Sequence, residues 1–187
     1  MGSSNTHPLS TKTLVVASLF VGINIVLSRV GAIMLFGGSV RLSFGNIPLI
    51  LSGLLLGPAA GFMTGIVSDV LGFFINSFGG AYHPGLTLSS GLTGFIPGLV
   101  MARGLRKGKS RYSLANVVTA NLLVYVFVAG LLNTVWLTHL LGTGFWVLLP
   151  ARLFSHGIIT TVNIALTYPL LRSFQKSNII PETLLHT

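Results

Sequence analysis

The sequence contains no cysteine and only two acidic residues, Asp69 and Glu182, against eleven lysines and arginines. The lack of cysteine excludes a disulfide framework, a thiolate metal site and a cysteine nucleophile. No acid pair is available for acid–base chemistry, the five histidines form no HExxH motif, and no Walker phosphate-binding loop is present. We therefore expect a protein that is not an enzyme, holds no metal or cofactor, and has no ATPase site of its own.

Charged residues are also scarce, at 7% of the chain, whereas hydrophobic residues make up 51%. Soluble domains carry about 25% charged residues, so this chain lacks the polar surface that a water-soluble globule needs. The apolar character recurs throughout, which predicts one transmembrane domain over residues 1–187, with a flexible N-terminus (1–10) and a cytoplasmic tail (173–187). No nucleic-acid-binding module is recognisable, so we expect the partner to be the lipid membrane rather than nucleic acid.

Six apolar segments are candidates for membrane helices. A spanning helix needs roughly 20 apolar residues, or fewer if neighbouring helices shield it. The segments are Thr13–Ser28, Gly45–Gly57, Pro58–Asn76, Leu86–Leu105, Leu114–Leu137 and Trp146–Leu171. The sequence therefore predicts an all-α integral membrane protein, a compact bundle of six transmembrane helices whose second helix is short.

The distribution of basic residues predicts the orientation of this bundle. The loop "RGLRKGKSRY", between the fourth and fifth segments, carries five lysines and arginines. An even number of spans puts both termini on the side of this loop, so Lys12, Arg172 and Lys176 join it. Because basic loops stay in the cytoplasm, both termini are expected to be cytoplasmic.

Three arginines remain at or near the predicted outer face: Arg29, Arg41 and Arg152. Charges at membrane depth are costly and usually face a cavity or a partner. Asp69, in the third segment, is the one acid expected inside the bundle, so positive charge is in excess. An anionic ligand would compensate this charge, because arginine binds carboxylates through two parallel hydrogen bonds. The alternative is that the arginines extend to lipid phosphates.

A polar stripe follows one face of the sixth segment. Arg152, His156, Thr160, Asn163 and Thr167 are spaced by four, four, three and four residues, which places them on one side of a helix. Such a stripe faces the protein interior, where it lines a cavity or bonds neighbouring helices. We favour the cavity because an arginine begins the stripe.

Other side chains could contact a ligand. Asp69 could accept hydrogen bonds from a ligand amine, or pair with Arg152 or interior hydroxyls. Tyr82, His83 and Pro84 lie in the outer loop "NSFGGAYHPGLTLSSG", where the two rings could stack on a flat ligand or belong to an ordinary solvated turn. Trp136 is typical of an interfacial anchor.

Small residues recur at intervals of four across Gly53–Gly65 and again in the fourth segment. This spacing lets helix backbones approach closely in lipid, so we expect tight packing within the bundle, with a partner-docking face as the alternative. Ser18 and Gly22 repeat the spacing on the first helix, which has few polar groups, and are better candidates for docking.

Three stretches carry a family resemblance: "INIVLSRV", "GNIPLILSGLLLGPAAGFMTGIVSDVLGF" and "GAYHPGLTLSSGLTGFIPGLV". They resemble the substrate-binding S components of energy-coupling factor (ECF) vitamin transporters, most of all the folate-specific branch. The resemblance covers about residues 11–172. It implies a multi-pass protein of the bacterial cell membrane with a vitamin pocket open to the outside and closed by the loops after the first and third helices. It also implies docking on a transmembrane coupling subunit driven by two ATP-binding subunits.

The implied ligand is folate or a reduced folate, which joins a flat, amine-bearing pterin to an anionic glutamate tail. The arginines would hold the carboxylates, the aromatic side chains would pack on rings, and Asp69 could reach the pterin. The expected substrate-binding residues are Arg29, Arg41, Asn46, Asp69, Tyr82, His83, Pro84, Asn133, Trp136, Arg152, His156 and Asn163. Docking in this family often uses alanines four apart on the first helix. Here Ala17 is followed by Val21, so the docking candidates are Ala17, Ser18, Val21 and Gly22.

Two alternatives stay open. The chain could be an S component for another vitamin or precursor, such as thiamine, pantothenate or a queuosine precursor. It could also be a membrane scaffold or small membrane enzyme unrelated to transport. A neutral or cationic ligand would leave Arg152 without a role, and a scaffold would bind no vitamin.

Overall fold

The structure, a computed structural model, describes residues 11–30, 33–35, 40–42, 44–77, 80–106, 113–142 and 144–176. The helices are α1 (Thr11–Ile25), α2 (Asn46–Leu56), α3 (Pro58–Ile75), α4 (Pro84–Arg106), α5 (Leu114–Leu123), α6 (Asn133–Leu141) and α7 (Phe145–Lys176). A π-helical turn (Val26–Val30) extends α1, and a second π-helical segment (Val124–Leu132) joins α5 to α6 into one long helix. The predicted flexible N-terminus, and the predicted tail from residue 177 onward, lie outside the described residues.

The described residues form six membrane-type helices, as the sequence predicts. Five are long and apolar enough to cross a bilayer: Thr11–Arg29, Pro58–Ile75, Pro84–Arg106, Leu114–Leu140 and Phe145–Phe174. The sixth, α2, has 11 residues. The ends differ from the predicted ones by a few residues, because α4 begins at Pro84 and α7 continues to Lys176.

The short helix α2 lies at the centre of the bundle. Nine of its 11 residues are buried, and Leu54 and Ile50 are among the most completely buried side chains of the described chain. They pack with Phe20, Met101 and Leu171 from three other helices. A helix enclosed in this way does not need the length that a lipid-exposed span requires.

A short β-hairpin follows the end of α1. β1 (Ile33–Leu35) pairs antiparallel with β2 (Val40–Leu42), and Met34 lies opposite Arg41. This hairpin is not predicted from the sequence, and it adds two short strands to the helices of the described residues. The side chain of Arg41 lies outside the described part of the structure, so its proposed role stays a prediction.

Glycines bring α2, α3 and α4 together at backbone distance. A Cβ added to Gly61 of α3 would lie 2.5 Å from the carbonyl oxygen of Gly94 in α4, and one added to Gly53 of α2 would collide with the same carbonyl group. The predicted use of these glycines for packing is confirmed. Gly57, with a φ of 92°, forms the sharp turn between α2 and α3, a conformation that favours glycine.

Candidate functional site

A cavity of about 560 Å³ lies at one end of the bundle, a size typical of small-molecule sites. Its walls come from the end of α1, the start of α2, the middle of α3, the first half of α4, the second π segment with α6, and the first half of α7. The polar lining residues are Asn24, Ser28, Arg29, Asn46, Ser68, Asp69, Ser89, Ser90, Thr93, Asn133, Arg152, Ser155 and His156.

Both π-helical segments contribute to the cavity wall. The turn after α1 carries Ser28 and Arg29, and the segment after α5 carries Val124, Val128 and Ala129. A π-helical insertion turns the side chains that follow it toward a different side of the helix, and such insertions occur frequently at functional sites. The two departures from α-helical geometry therefore lie where the helices line the cavity.

Arg29 lies along α3. Its Nη1 donates to the carbonyl oxygen of Asn76 at 2.9 Å, and its Nη2 is 3.6 Å from Oδ1 of Asp69. Gly72 leaves room for this approach, since a Cβ at that position would be 2.8 Å from Nε of Arg29. The positive charge of Arg29 is thus partly compensated within the protein.

The second oxygen of Asp69 is also engaged. Oδ2 accepts a hydrogen bond of 2.7 Å from the Thr87 hydroxyl, which lies 3.0 Å from the hydroxyl of Tyr82. Because Thr87 has one hydroxyl hydrogen, Tyr82 donates to Thr87. A pterin amine that approached Asp69 would share the carboxylate with one ion pair and one hydrogen bond of the protein.

Arg152, on α7, lines the same cavity as Arg29 and has no acidic neighbour among the described residues. Its Nη2 is 3.3 Å from Nε2 of His156, which must accept because a guanidinium can only donate. The imidazole is therefore neutral in this arrangement. Asp69 is the only acid among the described residues and pairs with Arg29, so the charge of Arg152 is uncompensated in that part of the chain.

Several polar atoms on the wall have no hydrogen-bond partner among the described residues. They are Oγ of Ser68 and Ser89, Oδ1 of Asn133 and Nε of Arg152, all buried. Leaving such groups unsatisfied is costly, and a polar guest can satisfy them. The cavity therefore combines excess positive charge with unsatisfied donors and acceptors.

The structure brings half of the twelve predicted site residues to the cavity. Those on the wall are Arg29, Asn46, Asp69, Asn133, Arg152 and His156. Those elsewhere are Tyr82, His83, Pro84, Trp136 and Asn163. Nδ1 of His83 accepts from the Gly85 amide at 3.1 Å at the start of α4, and its ring centroid is 5.5 Å from that of Trp136. The two rings pack on each other in this conformation.

The small polar residues of the wall were not predicted from the sequence. Asn24 at the end of α1 and Ser28 in the turn that extends it, and likewise Ser89 and Thr93 on α4, share the spacing of four that marks one helix face. That spacing was the available signal. Asn24 also ties α1 to α2, because its Nδ2 donates to the carbonyl oxygen of Gly45 at 2.6 Å.

The predicted docking residues lie on an open part of α1. Ser18 and Gly22 are exposed, Ala17 and Val21 are half-buried, and nothing lies within 4 Å of a Cβ placed on Gly22. The Ser18 hydroxyl donates to the carbonyl oxygen of Leu14 in its own helix at 2.9 Å. This face is therefore smooth, and the hydroxyl donor of Ser18 is already used within α1.

Comparisons with known proteins agree on one family. The family model described as "ECF-type riboflavin transporter, S component" matches residues 8–176. A protein named "Folate transporter FolT", from Clostridium novyi (strain NT), is 33% identical over 129 residues, which are 69% of this chain and 71% of that protein.

Two solved structures share the fold. "Crystal structure of FolT bound with folic acid" matches with a TM-score of 0.72 and 26% identity, over 88% of this chain and 97% of that one. "Structure and mechanism of the S component of a bacterial ECF transporter" matches with a TM-score of 0.61 and 22% identity, over 88% and 98%.

Proposed function

The chain belongs to the S component family of ECF transporters, and on that premise we propose that it is a folate-binding S component that takes up folate from outside the cell. As a member of this family it is a multi-pass membrane protein and a transport subunit. The proposal concerns its ligand, its orientation and its partners.

One observation carries the choice of ligand: Arg29 and Arg152 line the same cavity, where the one described carboxylate is already paired. A negatively charged ligand interacts favourably with both guanidinium groups, whereas a neutral ligand leaves the charge of Arg152 uncompensated. The glutamate tail of folate supplies two carboxylates, and its pterin supplies donors and acceptors for Ser68, Ser89 and Asn133. The proteins named FolT among the relatives support the same ligand.

The family model bears the name of riboflavin, which is a second candidate. Riboflavin has a flat ring but no charged group, so it would use the polar atoms of the wall and leave Arg152 unpaired. Thiamine is cationic and would be repelled. Pantothenate is anionic but has no ring system. The charge of the site therefore favours folate over these alternatives.

The proposed orientation places the cavity toward the outside and both termini in the cytoplasm. Arg103 and Arg106 lie in the last turn of α4, whereas the cavity is lined by the first half of that helix. Basic residues at the end away from the cavity are what a cytoplasmic end shows. We propose that Ala17, Ser18, Val21 and Gly22 contact the transmembrane coupling subunit, which two ATP-binding subunits drive.

Ligand identification on the purified wild-type protein tests this function. Mass spectrometry of small molecules released on denaturation should find a folate, and calorimetric titration without ATP should give heat with folic acid or a reduced folate. Riboflavin and pantothenate are titrated alongside. An absence of binding to every folate, or tighter binding of riboflavin, would contradict the proposal.

A further inference from the structure

We propose that Asp69 is a positioning residue that holds Arg29 in place for an anionic group of the ligand, and is not itself a ligand contact. The inference rests on the proposed function for the identity of that group. It assigns Asp69 a different role from the pterin contact that the sequence suggests.

The first support is that both oxygens of Asp69 have protein partners. Oδ1 is 3.6 Å from Nη2 of Arg29, and Oδ2 accepts from Thr87 at 2.7 Å. The side chain of Asp69 is 21% exposed, so little of it is open to a guest. A ligand amine at Oδ1 would share that oxygen with Arg29 and weaken the ion pair that orients the cation for an anionic guest.

The second support is the way α3 holds Arg29. Asp69, Gly72 and Asn76 follow at intervals of three and four, so they lie on one face of α3 and its C-terminal end, and all three meet the guanidinium. A free arginine loses rotamer entropy when it is fixed. Fixing it before the ligand arrives removes that cost from binding.

The third support is a second layer behind Asp69. Thr87 is 6% exposed and receives a hydrogen bond from Tyr82. The carboxylate is thereby oriented from α4 while it orients Arg29 on the opposite side. This arrangement gives Thr87 and Tyr82 a function away from the cavity wall.

The effect of Asp69→Asn on folic acid affinity should depend on whether Arg29 is present. In the wild type, Asp69→Asn loosens Arg29 and should weaken folic acid binding by about fivefold. In an Arg29→Gln background, Asp69 is an uncompensated negative charge beside an anionic guest, so Asp69→Asn should leave affinity unchanged or raise it. A direct pterin contact would instead weaken binding in both backgrounds.

The test is a double-mutant cycle on the purified full chain, with folic acid affinity measured for wild type, Asp69→Asn, Arg29→Gln and the double variant. Thr87→Val carries the same test without changing a charge, and it should weaken binding only when Arg29 is present. Thr64→Val is the matched control. Thr64 is also buried, its hydroxyl bonds to Ala60 of its own helix, and it does not line the cavity.

A second readout needs no ligand. Asp69→Asn and Thr87→Val should raise the rate at which an arginine-specific dicarbonyl reagent modifies Arg29 relative to Arg152, as mapped by mass spectrometry. Unchanged reactivity of Arg29, no loss of affinity in Asp69→Asn, or an equal loss in both backgrounds would each overturn the proposal. If the wild type binds no folate, the proposed function fails and the reactivity of Arg29 still decides this inference.

Discussion

Arg152 donates to Nε2 of His156 across one turn of α7, at 3.3 Å, and this neutral partner leaves the arginine's charge in place. A carboxylate in the same position would have cancelled it. Within the described residues, the cavity therefore has a partly compensated cation at Arg29, next to α3, and an uncompensated one at Arg152, on α7.

Arg152→Gln should weaken folic acid binding by about 2–4 kcal/mol, because a desolvated charge pair with a ligand carboxylate is lost. Calorimetry on the purified variant measures the change. Arg172→Gln is the control, since Arg172 lies far along the same helix, where its guanidinium is 5.0 Å from the ring centroid of Tyr168. Equal losses of affinity for the two substitutions would show that the net charge of the protein, and not a contact between Arg152 and the ligand, determines binding.

Gly61→Ala should destabilise the bundle by about 1–3 kcal/mol, because its Cβ would press on the backbone of Gly94. The Tm in detergent, followed by size-exclusion chromatography after heating, measures this loss. Gly22→Ala adds the same methyl group where nothing lies within 4 Å, so its Tm should match that of the wild type. A wild-type Tm for Gly61→Ala would argue against close packing of α3 on α4.

The lack of native cysteine allows the orientation to be measured with single introduced thiols. Gly80→Cys, in the exposed turn before α4, should react with a membrane-impermeant maleimide in intact cells. Ser113→Cys, at the start of α5, should react only after the cells are opened. The reverse pattern would place the cavity on the cytoplasmic side and contradict uptake from outside.

Gly22→Trp should block co-purification of the coupling subunit and leave folate binding intact, because it fills the smooth face of α1. Leu122→Trp is the matched control, since Leu122 is 47% exposed on α5, away from the proposed docking face. Normal co-purification of the coupling subunit with Gly22→Trp would contradict the proposed docking surface on α1.

The sequence predicted the helices well because each one depends on a local apolar run. The hairpin after α1 escaped prediction because strands of three residues have too few positions to show an alternating pattern. The π-helical segments escaped for a different reason. Their residues, such as Val124 and Val128, are as apolar as those of an α-helix, so composition gives no sign of the changed hydrogen bonding.

The site was half predictable. Arg29, Asp69 and Arg152 stand out because charge is rare and costly in this chain, and each of them lines the cavity. Ser68 and Ser89 do not stand out, because small hydroxyl residues are also ordinary packing residues in membrane helices. The rotation of one helix relative to another decides which of them face the cavity, and that is a tertiary property.

The most direct measurement of the central claim compares two ligands of nearly the same shape on the wild-type protein: folic acid, and the derivative in which both glutamate carboxylates are primary amides. If Arg29 and Arg152 bind a negatively charged guest, folic acid should bind at least about tenfold more tightly than the diamide, because charge-assisted hydrogen bonds are stronger than neutral ones. Equal affinity for the two compounds would contradict the claim.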